Sequence, residues 1–404
     1  MKYIQSLIAL GAYLLPLIAG APAPEPQLKI SNKNAEDVIP NSYIVVFSKD
    51  TNSSTAESEI ASVNTILSKL GSPYKGIGSN YDLPEFKGYQ IETDTVTINK
   101  IATSPQVAWI EKDVKMHASS LTTRPGAPWG LGRISHRSPG STSYVYDTSA
   151  GSGTSVYVVD TGIYVGHSQF GGRAVWGENF ISGSANTDEN GHGTHCAGTI
   201  GGSTYGVSNQ ATLIAVKVLD AEGSGSNSGV IAGIQWVAND ATAKGNDRKS
   251  VLSMSLGGEY SAALNSAVAS VVSAGITVVV AAGNDNADAA KYSPASAPDA
   301  ITVGATDRND ARAAFSNWGP ALDVFAPGVD VLSAWIGSSF ATNIISGTSM
   351  ATPHVAGVAA YLIALEGLSS PAAVASRIQS LSTKNLVQNP RNSVNMIAYN
   401  GNGA

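Results

Sequence analysis

Five apolar runs that alternate with helical stretches from about residue 120 onward constrain this chain more than any other feature. The runs fall at 155–159, 213–219, 251–256, 276–281 and 301–304. Apolar residues recur at helical spacing between and beyond them, at 192–202, 227–243, 260–274, 348–366 and 371–381. Strands covered on both faces read as continuous apolar runs, so the pattern predicts an α/β fold with a parallel central sheet and helices on both faces. Sites in such folds gather at the strand C-terminal ends. Asp160 sits just past one of those ends.

The first part of the chain is built differently. Residues 22–40, rich in Pro, Ala, Asn and Glu, read as a flexible lead-in. Strands follow at 42–47, 88–92 and 107–111, with a short helix at 96–102. A helix at 56–70 carries Ile60, Val63, Ile66, Leu67 and Leu70 on one face. This order predicts a small α+β domain at about 40–117. Every arginine lies at or after Arg124, which sets the first 119 residues apart from the rest. A length of 404 residues leaves room for two domains once a leader is removed.

Residues 1–20 read as that leader. Lys2 precedes an apolar stretch at 7–18 that ends in Ala19-Gly20-Ala21, the pattern of a secretory signal peptide cut near 19–21. Pro16 and the short apolar core disfavour a membrane anchor. No later stretch reads as membrane-spanning, so no membrane association is expected after processing. A net charge of −6 without any basic block argues against nucleic acid as a partner. The single cysteine, Cys196, rules out an internal disulfide and leaves stability to core size and bound ions.

Three segments carry acid, base and nucleophile in that order: Val158-Val159-Asp160-Thr161-Gly162, Asn190-Gly191-His192-Gly193-Thr194-His195-Cys196, and Ser346-Gly347-Thr348-Ser349-Met350-Ala351-Thr352-Pro353-His354. An aspartic protease would need a second Asp-Thr-Gly or Asp-Ser-Gly, and none occurs. A hydrolase elbow would need Gly-x-Ser-x-Gly and a distant later histidine, but only His354 follows Ser349. His192, His195 and Cys196 could ligate zinc only with further ligands, and the chain has no other cysteine and few histidines. Ser349 opens an apolar helix, whose positive end favours charge developing at the hydroxyl. Asn284, after Ala281-Ala282-Gly283, follows a buried strand and would offer its amide to an oxyanion, with the Ser349 backbone N–H as the second donor.

These motifs resemble a subtilase of the proteinase K branch over residues 120–404, with residues 40–117 similar to the matching inhibitory propeptide. The strings from His192 to Gly198 and from Gly347 to His354 carry the resemblance. Ala127-Pro128-Trp129-Gly130-Leu131 and Tyr292-Ser293-Pro294-Ala295-Ser296 add to it. The resemblance implies a subtilisin-like fold preceded by a small ferredoxin-like domain. It also implies a monomeric endopeptidase acting on proteins and peptides through Asp160, His192, Ser349 and Asn284. Gly223, Ser224 and Gly225 on one side, and Ser255, Leu256, Gly257 and Gly258 on the other, would clamp an extended peptide. Neither clamp contains an acid, Glu222 and Glu259 lying just outside, so apolar or aromatic residues are expected before the cut. One structural calcium is implied at the carbonyls of Pro298 and Ala300 and the carboxylate of Asp323. A second family site lacks its donors, because Arg137 occupies its first position and no acid lies in 383–395.

The domains expected are therefore a signal peptide at 1–20, a propeptide at 21–119 and a peptidase domain at 120–404. The junction at about 119–121 has no dibasic pair, which points to self-cleavage. The propeptide would act as folding template and inhibitor until then. Secretion to the exterior is expected, with a vacuolar destination as the alternative. The rival class is a non-catalytic module that only binds peptides, which the intact four-residue set argues against.

Overall fold

A computed structural model describes residues 31–32, 38–70, 73–114 and 121–403. The expected leader, most of the lead-in and positions 119 and 120 of the junction lie outside the described residues. Two compact units divide the chain, Met1–Ala118 and Ser119–Ala404.

The first unit runs β1 (Val38–Phe47), α1 (Ser53–Leu70), β2 (Gly76–Leu83), β3 (Phe86–Glu92), α2 (Thr95–Ile101) and β4 (Val107–Val114). The strands form one antiparallel sheet in the order β2-β3-β1-β4. That is the ferredoxin-like arrangement. Alternate residues Val45, Phe47, Tyr89 and Ile91 meet Val63 of α1 and Ile98 of α2 in one core. Strand β2 was not anticipated, because its residues are polar and mostly exposed at the sheet edge. Helix α1 starts three residues early, where Asn52 Oδ1 accepts from Thr55 N at 2.9 Å.

The second unit opens with β5 (Leu121–Pro125), α3 (Trp129–Ser135) and β6 (Ser143–Asp147), then β7 (Ser155–Asp160) and β8 (Ala174–Asn179). Next come α4 (His192–Gly201), β9 (Thr212–Lys217), α5 (Asn227–Ala243), β10 (Ser250–Met254), β11 (Gly258–Glu259) and α6 (Ala262–Ser273). The chain continues through β12 (Thr277–Ala281), β13 (Tyr292–Ser293), β14 (Ile301–Thr306), β15 (Val324–Pro327), β16 (Val331–Ala334) and β17 (Thr342–Ile345). It closes with α7 (Thr348–Glu366), α8 (Pro371–Leu381), β18 (Thr383–Lys384) and β19 (Met396–Ile397).

Nine strands form the central sheet in the order β18-β19-β15-β14-β12-β10-β7-β9-β8. All neighbours are parallel except β18 and β19. Strand order reverses between β7 and β10, which makes the C-terminal end of β7 the switch point where such sheets bind ligands. Side chains alternate across β7: Val156 and Val158 join the core with α4, α7 and α8, while Tyr157 and Val159 join the core with α5 and α6. All five anticipated strands and all five anticipated helices are present, with small shifts at their ends. Strands β8 and β15 and the short edge strands were missed, being brief or compositionally mixed.

One expectation needs correction. Helix α7, with 19 residues, is long and apolar enough to cross a bilayer, contrary to the absence of such a stretch read from the sequence. Its residues from Met350 to Ile363 are buried, so its apolar length reflects a place in the core. Gly130 of α3 lies against His354 of this helix, where any side chain would collide. The start of the second unit is further pinned by Arg133, which makes a buried two-pronged bond to Asp310 at 2.6 and 3.1 Å. Asn tolerates the Asp310 backbone (φ 63°) but strands the Arg133 charge. Asp310→Asn is therefore expected to cost about 3–5 kcal/mol. The guanidinium unfolding midpoint measures it.

Candidate active site

Strand β7 ends on Asp160, which is fully buried. Its Oδ1 accepts from Thr161 N at 2.7 Å and from His192 Nδ1 at 2.8 Å. His192 is the first residue of α4, entered through Gly191 at φ 105°. A side chain at Gly191 would strike the Trp335 ring, and one at Gly193 would strike the Gly162 carbonyl. The two glycines thus let α4 start hard against the end of β7. Burial lowers the His192 pKa, but the charge and hydrogen bond of Asp160, then the charge of Asp188, outweigh it and the net shift is upward.

Ser349 is the second residue of α7. Its Oγ donates to the Ser255 carbonyl at 3.0 Å. No hydrogen bond joins it to His192 among the described residues. The Ser349 carbonyl would ordinarily accept from residue 353, but that residue is Pro353 and has no N–H. Ser255 Oγ fills the vacancy at 2.9 Å, with Cys196 Sγ at 3.5 Å. The fully buried Cys196 thiol has its pKa pushed up by burial and stays protonated. Asp160, His192 and Cys196 offer atoms within 4.8 Å of one another. His192 Nδ1 and Cys196 Sγ are already engaged there, with Asp160 and with the Ser349 carbonyl.

Asn284 is exposed beyond the end of β12, and its Oδ1 accepts from Thr348 N at 2.8 Å and Thr348 Oγ1 at 3.0 Å. With the oxygen engaged there, the amide N–H groups are the free end. Two cavities share Ser349, Leu256, Gly257 and Gly258. The larger, about 570 Å³, also takes in His192 and Gly223, Ser224 and Gly225. The smaller, about 320 Å³, takes in Ala281, Ala282, Gly283, Asn284 and Thr348. The backbones of Gly225 and Gly257 make no hydrogen bond among the described residues. Both clamps anticipated from the sequence therefore line the cleft. The acids do not stay outside it: Glu222 lines the larger cavity, and Glu259 and Asp285 the smaller, all three solvent-exposed. Sequence reasoning missed Asp188, Thr161 and Lys217, which surround the Asp160–His192 pair and carry no motif that marks them as separate from it.

Asp323 Oδ2 accepts from Thr302 N at 2.8 Å, and Oδ1 from Gln379 Nε2 at 3.1 Å. Both donors are neutral, and burial raises the carboxyl pKa. A half-buried carboxylate served only by neutral donors suits a cation, and its oxygen chemistry fits calcium. Arg137, by contrast, donates to the Leu381 carbonyl at 3.1 Å and lies 4.1 Å from the Tyr399 ring centre. A fixed cation thus already joins the early part of this unit to its C-terminal region.

His195 and His354 are buried beside the site, and burial takes each pKa from 6.5 to about 4. A depressed folded pKa gives stability that is present above the unfolded value and is lost as pH falls through the folded one. The unfolding midpoint is therefore expected to fall between pH 6.5 and 4. His354→Gln should remove about one proton from that slope, about 1.4 kcal/mol per pH unit. Thermal melts of inactivated protein across that range test it.

Comparison with known proteins agrees with this geometry. Residues 151–396 match the model of the subtilase family, and residues 42–119 that of peptidase inhibitor I9. The chain is 67% identical over 404 residues to subtilisin-like protease 2 of Pseudogymnoascus destructans, covering all of both chains. It is 50% identical to alkaline protease 1 of Emericella nidulans, over 99% of each. Among solved structures, a cold adapted subtilisin-like serine proteinase matches with a TM-score of 0.65 and 45% identity. That match covers 68% of this chain and 98% of the other.

Proposed function

The chain belongs to the subtilase family and is a serine endopeptidase preceded by an I9 inhibitor domain, and from that premise we propose how its residues divide the work. Ser349 is the nucleophile, His192 its base, Asp160 the orienting acid and Asn284 an oxyanion donor. The observation that carries this reading is the 2.8 Å Asp160–His192 bond opening onto the same cavity as Ser349.

Ser349 Oγ leaves the Ser255 carbonyl and attacks a peptide carbonyl while His192 Nε2 takes its proton. Asp160 holds Nδ1–H, which fixes the tautomer and stabilises the imidazolium. Negative charge on the former carbonyl oxygen is met by the free end of Asn284 and by the Ser349 N–H at the start of α7. His192 then protonates the leaving amine, and water releases the acyl group. Thr348 supports the oxyanion role, because its N–H and hydroxyl turn the Asn284 oxygen away from the cleft.

The extended substrate lies between residues 223–225 and 255–258, pairing with free backbone groups as an added strand. Residues before the cut are apolar or aromatic, since Ala281, Ala282, Gly257 and Ala295 line the smaller cavity. The carboxylates of Glu259 and Asp285 are exposed, and solvent screens what they would add for Arg or Lys. The protein is exported as a zymogen with a leader at 1–20 and a propeptide to about residue 119, and it removes that propeptide itself. The carbonyls of Pro298 and Ala300 and the carboxylate of Asp323 would hold a calcium ion, which would supply structural cross-linking and no chemistry at Ser349.

Asn284→Leu is expected to lower kcat about 10²–10³-fold with little change in KM, the magnitude being that of the equivalent loss in subtilisin, a member of the same family. Ser349→Ala should abolish labelling by a phosphonylating reagent and leave the propeptide attached. A fully cut Ser349→Ala chain from a host without similar proteases would overturn self-cleavage. Profiling on a diverse peptide mixture tests the preference before the cut, and enrichment of Arg or Lys there would overturn it. Chelation should lower the melting temperature of the parent protein and leave that of Asp323→Asn unmoved.

A further inference from the structure

A single buried carboxylate connects the segment that presents Asp160 to the segment that presents His192. Asp188 is 4% exposed, three residues ahead of Gly191. Its Oδ1 accepts from Thr161 Oγ1 at 2.8 Å, Gly191 N at 2.8 Å and Asn190 N at 3.1 Å. Its Oδ2 accepts from Thr194 Oγ1 at 2.6 Å and Thr194 N at 2.9 Å. Five donors on two oxygens exceed the usual four lone-pair sites of a carboxylate. Thr161 is the link: it follows Asp160 directly, its N–H donates to Asp160 Oδ1, and its hydroxyl accepts from Gly193 N at 2.9 Å. The far side of Thr161 is held as well. Fully buried Lys217 donates to the Thr161 carbonyl at 2.8 Å and to the Leu219 carbonyl at 3.2 Å, with Glu189 at 3.5 Å.

We propose that Asp188, acting through Thr161, is a positioning residue that fixes His192 against Asp160 before substrate arrives. The inference rests on the reading of Asp160, His192 and Ser349 given above. A helix cap that served stability alone would need only the N–H groups of the first turn. Here the same carboxylate also binds the hydroxyl next to Asp160, so the spacing between the two halves of the relay depends on it. Misplacement of a catalytic group by about 1 Å can cost about 100-fold in rate.

The charge of Asp188 provides a second readout. Asp160 on β7 and Asp188 before α4 bring charge to His192. His195 and Cys196 lie near it on α4, and Glu222 lines the same cavity. Lys217 on β9 and His354 on α7 belong to elements packed against α4, and β16 offers no titratable group. The two buried histidines are neutral in the working range and the thiol is protonated. Lys217 has Glu189 beside it. Asp160 and Asp188 are left as the charges that hold His192 upward.

The full-length chain is expressed, matured and titrated with a phosphonylating reagent, so that rates are expressed per competent site. Asp188→Asn is expected to lower kcat about 10- to 100-fold at little cost in KM and to move the acid limb of kcat/KM to lower pH. Thr161→Val, close to isosteric, should reproduce the loss in kcat, and Thr161→Ser should restore it. If Asp188→Asn fails to mature, the Thr161 pair decides. Parental kcat per titrated site in Asp188→Asn or Thr161→Val, or an unmoved acid limb in Asp188→Asn, would overturn the inference. Activity surviving in Ser349→Ala would overturn instead the reading on which it rests.

Discussion

Burial of helix α7 is the constraint on which the rest of the second unit depends. A helix apolar on every face has no surface to give to water and must be enclosed. Strands β10, β12, β14 and β15 cover it on one side, with α4 and α8 alongside. Enclosure fixes where its N-terminus emerges, which is the line of strand ends where the sheet order reverses. Ser349 therefore owes its position to the core. The chain then handles the local consequences of a buried helix start. Pro353 deprives the Ser349 carbonyl of its helical partner, and Ser255 and Cys196 supply replacements. An unpaired carbonyl there would carry a desolvation penalty of about 1–3 kcal/mol. The same exchange ties Ser349 to the strand end that forms one wall of the cleft.

The imidazole is held by a different principle. His192 is not fixed by enclosure but by buried negative charge placed at the start of a short helix. Asp160 contacts the ring, and Asp188 holds the backbone that carries it. Desolvation acts against a charged imidazole, so the carboxylates must outweigh burial for His192 to accept a proton at useful pH. Around them, close-packed glycines leave no slack: Gly191 against Trp335, Gly193 against Gly162, and Gly130 against His354. Ser349 and His192 thus rest on two supports, one apolar and one ionic, that meet at Cys196 and Ser255.

Much of this architecture was legible in the sequence because its signals are long. Continuous apolar strands such as Ser250–Met254 and periodic helices such as Asn227–Ala243 show their type without tertiary help. Elements defined by pairing were not legible. Strand β19 has only two residues and exists because Ile397 pairs with Phe325. Strand β2 is polar throughout most of its length and gains its identity from β3. At the site, Asp160, His192, Ser349 and Asn284 stood out because each lies at a strand end or helix start beside small residues. Asp188 and Lys217 did not, since an Asp in a loop and a Lys at a strand end look solvent-facing until burial is known. Exposure misled in the opposite sense at Glu259, whose place on the cavity wall comes from the pairing of Glu259 with Tyr292.

The pairing pattern also bears on why a separate leading domain precedes this sheet. Register in the second unit joins Ser155 to Ser250, Val303 to Val324 and Phe325 to Ile397, and every crossover between parallel neighbours must close a long loop first. Loop closure costs entropy before any contact rewards it, so sheets of this kind fold slowly. The first unit carries the opposite character, a small antiparallel sheet with its own core of Val45, Phe47, Tyr89 and Ile91. Such a unit closes shorter loops and can gain structure on its own core. The match to peptidase inhibitor I9 gives this unit an inhibitor role, and the template role expected of it would have the same cause. A domain that binds a folded state tightly enough to favour its formation also binds it after folding.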